Sequence, residues 1–214
     1  MGNEKRFKMN KTYLDKGIFY IENFISKKEL NLIKSHYESD SGWVKNGVFY
    51  EKHKEILDPE TLRVIFDINM RISDLINSDE EIANSFYVLQ KFLPNDQEWA
   101  IYPHSDRFDY RDTGSGESRS QYCTKGFILY YNDNYDGGEV YYLDKEIAIK
   151  PKPGMLLVHS GSKEYIHGVK AVKSGERWMS TGFVYEKEYL EKNMKGNNPA
   201  IQEDKAKGEK NNEI

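Results

Sequence analysis

The chain has 214 residues, 38% of them hydrophobic and 14% aromatic, which suits one domain with a real core and leaves too little for two full ones. Its formal charge of −4, from 31 basic and 35 acidic residues, provides no overall attraction to nucleic acid or to an anionic membrane surface, and a single cysteine, Cys123, excludes an intrachain disulfide and a thiolate zinc site. No run approaches the ~18 apolar residues of a membrane span and Met1 to Thr12 has no signal-peptide core, so a cytoplasmic protein is expected, with neither nucleic acid nor membrane as partner.

In chain order, Ser26-Lys27-Lys28-Glu29 has the form of a capping box, and Leu30, Leu32 and Ile33 give the helix behind it an apolar side. Trp43 to Tyr50 reads as a β-hairpin turning at Asn46-Gly47, the pair that suits a type I′ turn. Asp58-Pro59 opens a longer helix, Asp58 as N-cap, with Leu62, Ile65, Ile68, Ile72, Leu75 and Ile76 on one face. Helical support is thus expected over about 26–78. From Phe86 the texture changes to eight short β-rich runs between turn residues, at 86–93, 99–104, 125–132, 138–143, 146–149, 154–159, 165–171 and 176–185. This pattern predicts a mainly β, α+β domain over residues 1–189, its jelly-roll core at about 86–185 and N-terminal helices supporting it. Residues 190–214 are almost all charged or amide-bearing and are expected to form a disordered tail.

Three residues carry a candidate chemistry. His104-Ser105-Asp106 follows an expected strand, and alternation sends His104 and Asp106 to one face. His167 lies in a later strand-like run that the fold can bring opposite. Two imidazoles and one carboxylate leave further coordination positions open, as an iron(II) oxygenase requires. His-x-Asp by itself is a common coincidence, so the surrounding residues matter. Arg177 opens the last strand, where its guanidinium can clamp a carboxylate through two parallel hydrogen bonds. His159 has no carboxylate two positions away and is set aside as a ligand; His36 and His53 read as surface or half-buried residues.

Taken together, His104-Ser105-Asp106, Leu129-Tyr130-Tyr131-Asn132, Asp136-Gly137-Gly138-Glu139, Lys152-Pro153-Gly154, His167-Gly168-Val169 and Gly175-Glu176-Arg177-Trp178 resemble the prolyl 4-hydroxylase-type branch of the 2-oxoglutarate and iron(II)-dependent oxygenases. The resemblance runs from about Phe86 to Val184. It implies a double-stranded β-helix that hydroxylates an unactivated C–H bond, with iron(II), with 2-oxoglutarate and dioxygen as co-substrates, and with ascorbate as reductant. Residue by residue it implies His104, Asp106 and His167 as iron ligands and Arg177 as anchor for the distal carboxylate of 2-oxoglutarate. Tyr130 and Thr181 match residues that hydrogen-bond near that carboxylate. Phe92 stands where many relatives carry a tyrosine, which makes Tyr102 the candidate to supply the missing phenol. Arg177 replaces the lysine usual in collagen-modifying relatives, which disfavours that substrate class, and Phe183 stands where the nucleic-acid demethylase branch has a second arginine, which counts against that branch. A prolyl peptide or amino-acid-like substrate is therefore expected, recognised by a lid over Arg107 to Lys125, a stretch rich in Gly, Arg and aromatic residues.

Two other readings share these residues: an idle cupin-like binding module, and a jelly-roll metalloenzyme that uses no 2-oxoglutarate. The first does not call for all three candidate ligands together with Arg177, which are present, and the second gives Arg177 and Thr181 no role.

Overall fold

The computed structural model describes residues 10–76, 81–83, 88–107 and 119–187; the expected tail and residues 108–118 of the expected lid lie outside them. Two strands absent from the sequence reading come first, β1 (Thr12–Asp15) and β2 (Ile18–Ile21), paired antiparallel. Helix α1 (Lys27–Glu38) starts on its capping box: Ser26 Oγ accepts from the Glu29 amide at 3.3 Å, and the Glu29 carboxylate accepts from the Ser26 amide at 2.7 Å. Its buried side chains are Ile33 and Tyr37.

The hairpin of β3 (Val44–Asn46) and β4 (Phe49–His53) turns one residue later than expected. Asn46 pairs with Phe49, so the loop is Gly47-Val48, and only Gly47 has positive φ. That is the φ pattern of a type II′ turn with glycine first, which leaves Asn46 in the ladder. Helix α2 (Pro59–Ile76) is capped by Asp58, whose carboxylate accepts from the Thr61 amide at 3.0 Å. Ile65, Ile68, Ile72 and Ile76 form its buried face, each contributing about 1.5–3 kcal/mol by leaving water.

The remaining strands are β5 (Glu81–Ala83), β6 (Val88–Phe92), β7 (Trp99–His104), β8 (Cys123–Tyr130), β9 (Asp136–Gly137), β10 (Val140–Tyr142), β11 (Ile147–Ile149), β12 (Leu156–Ser160), β13 (His167–Lys170), β14 (Val172–Ser174) and β15 (Arg177–Glu186). A large sheet runs β1-β2-β12-β8-β15-β6-β4-β3, with β5 added to β15; a smaller one runs β11-β10-β13-β7. Successive strands β6, β7, β8, β10, β11, β12, β13 and β15 are shared between the two sheets, the winding of a double-stranded β-helix. They match the eight runs read from the sequence. The C-terminal end of the span expected for the lid is regular structure: residues 119–122 form a 3-10 turn and β8 begins at Cys123.

The large sheet is covered on both faces. Phe127 and Leu129 of β8 pack with Ile33, Ile65 and Ile72 under the helices, while Ile128 and Tyr130 join Leu157, Tyr142 and Val140 between the two sheets. Strand β12 divides the same way: Leu156 and Val158 face the helices and Leu157 faces the barrel interior. Alternation then turns His159 inward as well. No helix among the described residues is long and apolar enough to cross a membrane.

Candidate active site

His104 and His167 stand directly opposite each other in the pairing of β7 with β13. A bulge makes this possible. His167 and Val169 are two residues apart on β13, but their partners, His104 and Ile101, are three apart on β7. The extra residue at Tyr102-Pro103 lets Ile101 and His104 both face inward, where strict alternation would separate them. Asp106 follows in a turn held by the Arg107 amide, which donates to the Gly161 carbonyl at 2.7 Å.

The donor atoms of His104, Asp106 and His167 lie within 4.8 Å of one another. Asp106 Oδ1 is 3.6 Å from His104 Nε2 and 3.8 Å from His167 Nε2. Each imidazole uses Nδ1 to reach the backbone carbonyl two residues earlier, Tyr102 O at 2.8 Å and Tyr165 O at 3.0 Å. With Nδ1 carrying the hydrogen, both Nε2 lone pairs are free for a metal, the arrangement in which histidine ligands are usually held. Burial pushes the His167 imidazole down to about 3, so it stays neutral. The neighbouring Asp106 carboxylate raises His104 against its burial. Burial alone would raise Asp106, but the imidazoles of His104, His159 and His167 gathered around it outweigh burial and hold the carboxyl well below its ordinary range. The result is a carboxylate with two neutral-capable imidazoles, a donor set that fits iron(II). The His104 side chain is 43% exposed and that of His167 6%, so the site opens to solvent on the His104 side.

Arg177 begins β15 and is fully buried. Its guanidinium lies between the rings of Phe92 and Tyr130, 5.3 and 5.2 Å from their centroids, and Nη2 is 3.4 Å from the Tyr130 hydroxyl. Nη1 turns to Met179 Sδ. Among the described residues Arg177 has no ion pair, and its Nε and the buried Tyr135 hydroxyl have no hydrogen-bond partner. A buried cation without a counter-charge is costly by several kcal/mol, on the order of the desolvation of one ion. Gly138, at φ 70°, makes the space: a Cβ there would stand 2.9 Å from Arg177 Cδ and 3.1 Å from Tyr135 Cε2. Burial raises the Tyr130 and Tyr135 phenols, so both keep a proton to donate. A carboxylate is the ligand this cradle fits.

The other expected residues are placed differently. Thr181 lies four residues along β15 from Arg177 and donates to Gln90 Oε1 at 3.0 Å. Tyr102, on the bulge, is 70% exposed, so it brings its carbonyl to the site and not its phenol. Tyr135 was missed by the sequence reading, since it sits in the turn Asn132 to Asp136, where no periodicity gives a side chain a direction. Asn132 fixes that turn, with Nδ2 donating to Glu176 O at 2.7 Å and Oδ1 accepting from the Trp178 amide at 2.8 Å.

A third imidazole completes the group. His159 is 3% exposed, with Nε2 at 3.0 Å from Asp106 Oδ2 and Nδ1 at 2.6 Å from the Tyr142 hydroxyl. The carboxylate it lacks in its own strand comes from the turn that follows β7.

Comparison with known proteins agrees with this fold. Over 55 residues, 23% of this chain, the mouse and human prolyl 3-hydroxylase 2 are 42% and 40% identical to it, and the chain spans only 8% of the length of these relatives. The solved viral collagen prolyl hydroxylase of Paramecium bursaria Chlorella virus-1 superposes with a TM-score of 0.59 at 20% identity, covering 80% of this chain and 90% of that one. A Trichoplax adhaerens prolyl hydroxylase, solved with a hypoxia inducible factor peptide, gives 0.58 at 12% identity, over 80% and 84% of the chains. A Pseudomonas putida prolyl-4-hydroxylase gives 0.52 at 17% identity, over 79% and 92%. At such identities these structures establish a common fold. The sequence model of the 2OG-Fe(II) oxygenase superfamily matches residues 77–185, which takes in every residue of the candidate site, and the chain belongs to that superfamily.

Proposed function

We propose that the protein is a 2-oxoglutarate-dependent dioxygenase that hydroxylates an unactivated C–H bond of a prolyl peptide or an amino-acid-like molecule, releasing succinate and carbon dioxide. His104 and His167, through Nε2, and Asp106, through Oδ1, would hold iron(II). Arg177, with the hydroxyls of Tyr130 and Tyr135, would hold the distal carboxylate of 2-oxoglutarate. Bound there, iron(II), 2-oxoglutarate and dioxygen supply the oxidation, one oxygen atom entering the substrate and the other succinate. The chain's own residues provide orientation and dryness. Hydrogen bonds at Nδ1 fix both imidazole planes, the Arg177 fork sets the co-substrate's direction, and the apolar lining from Val140, Met155, Leu157 and Met179 keeps water out. The exposed side of His104 gives the primary substrate its approach.

Arg177 carries this reading. Its buried guanidinium has no anionic partner among the described residues, and it shares the barrel interior with a His-Asp-His cluster. The names of the relatives suggest the prolyl substrate. The test is anaerobic reconstitution with iron(II), followed by oxygen, 2-oxoglutarate and proline-containing peptides or free amino acids. Oxygen-dependent succinate release is expected, with a substrate gaining the mass of one oxygen atom, and both are lost in His167→Ala. An iron-loaded protein that never converts 2-oxoglutarate would overturn the proposal.

A further inference from the structure

We propose that His159 is a positioning residue of the metal site, which together with Tyr142 and Gly126 fixes the Asp106 carboxylate so that Oδ1 faces the two histidine ligands. The proposal rests on the reading of His104, Asp106 and His167 as ligands.

The two carboxylate oxygens of Asp106 have separate tasks. Oδ1 lies toward His104 and His167, at 3.6 and 3.8 Å, whereas Oδ2 is held by His159 Nε2 at 3.0 Å. An ionised carboxylate only accepts, so His159 Nε2 carries a hydrogen whatever the charge of the ring. That nitrogen therefore has no lone pair for a metal, although the His159 ring centroid is 4.1 Å from that of His167. A neutral ring accepts at Nδ1, where the Tyr142 hydroxyl stands at 2.6 Å. The order is then Tyr142 O–H to Nδ1, and Nε2–H to Asp106 Oδ2. Tyr142 and His159 are both buried, so water does not compete for these bonds.

Gly126 is the second, independent observation. It pairs directly with His159 across β8 and β12. A Cβ at this position would lie 2.3 Å from His159 Nε2 and 2.4 Å from Asp106 Oδ2, inside the hydrogen bond itself. The strand next to His159 thus lacks a side chain at the one place where a side chain would separate the two groups. A histidine serving only to fill the core would need neither this gap nor the carboxylate.

The experiment uses the full chain and cobalt(II), whose visible ligand-field spectrum reports coordination geometry without turnover. His159→Leu keeps the bulk and removes the donor; its cobalt(II) affinity should fall about 10- to 100-fold, the usual effect of losing a ligand's outer partner, with a changed spectrum. His159→Gln, which returns an N–H at similar reach, should restore most of both, a rescue that a packing role does not predict. Tyr142→Phe should weaken cobalt(II) less than His159→Leu does. Wild-type affinity and spectrum in His159→Leu would overturn the proposal. Should that variant fail to fold by circular dichroism, the remaining two decide: wild-type behaviour of Tyr142→Phe together with an unrescued His159→Gln also overturns it. His167→Ala separates the two levels, because unchanged cobalt(II) affinity there removes the metal centre and the positioning role with it.

Discussion

Arg177 is held in its buried place by cation–π contact and packing against Phe92 and Tyr130, and neither contact neutralises it. Its free energy without ligand is therefore poor, and its exchange should improve stability while removing function. Arg177→Met is expected to stabilise the ligand-free chain by about 1–3 kcal/mol, roughly 2–4 °C in melting temperature per kcal/mol, and to abolish the rise that added 2-oxoglutarate produces in the wild type. Thermal melts with and without 2-oxoglutarate check both parts. A second comparison concerns the phenols. Tyr135→Phe should weaken 2-oxoglutarate about tenfold, the loss of one hydrogen bond to a charged group, whereas Tyr102→Phe should leave affinity nearly unchanged, as titration calorimetry can measure. His104, Asp106 and His167, which the fold gathers, and the buried Arg177 were legible as candidates because their motifs are local and their types few. Tyr135 was not, since a turn of Asn and Asp residues gives no phase from which to read its direction.

At the level of elements, the helix caps were the most legible features, because a cap is satisfied within three residues of itself. Asp58 illustrates this. The Thr61 amide and then the Thr61 hydroxyl donate to its carboxyl and hold it down at about 2. A carboxyl lowered by folding stabilises the native state fully above its unfolded pKa, near 3.9, and loses that contribution as the pH falls through its folded value. Asp58→Ala should then cost about 1 kcal/mol at neutral pH, and the gap between variant and wild type should close between about pH 4 and pH 2. Urea melts across that range measure it. Strand β12 shows the opposite case. Met155-Leu156-Leu157-Val158 is apolar on both faces, so it offers no alternation from which to orient His159. Strands β1 and β2 were missed for a related reason: four-residue runs become strands here through pairing, β2 lying along β12 with Ile21 opposite Leu156.

At the level of the molecule, eight turn-punctuated runs were enough to read the jelly roll, while the meeting of distant residues was not readable. Asp106 and His159 are 53 positions apart, and only the order β12-β8-β15 beside β13-β7 places them together. The bulge on β7 has a consequence of the same kind, for it works as a reading-frame shift in the side-chain pattern. Upstream of it the strand keeps the frame of the apolar interior, with Ile101 beside Val169; downstream it takes the frame of the metal site, with His104 beside His167. Changes of length at Tyr102-Pro103 should therefore matter by parity rather than by size. Deleting Pro103 removes the extra residue and leaves Ile101 and His104 both inward, so cobalt(II) binding should survive in a regular strand. Deleting both Tyr102 and Pro103 instead makes His104 the immediate neighbour of Ile101 and turns it to the outer face, and affinity should fall to that of His104→Ala. A cobalt(II) titration of the two length variants compares these outcomes directly, and relatives that differ by one residue at this point could keep the same metal site with no bulge at all.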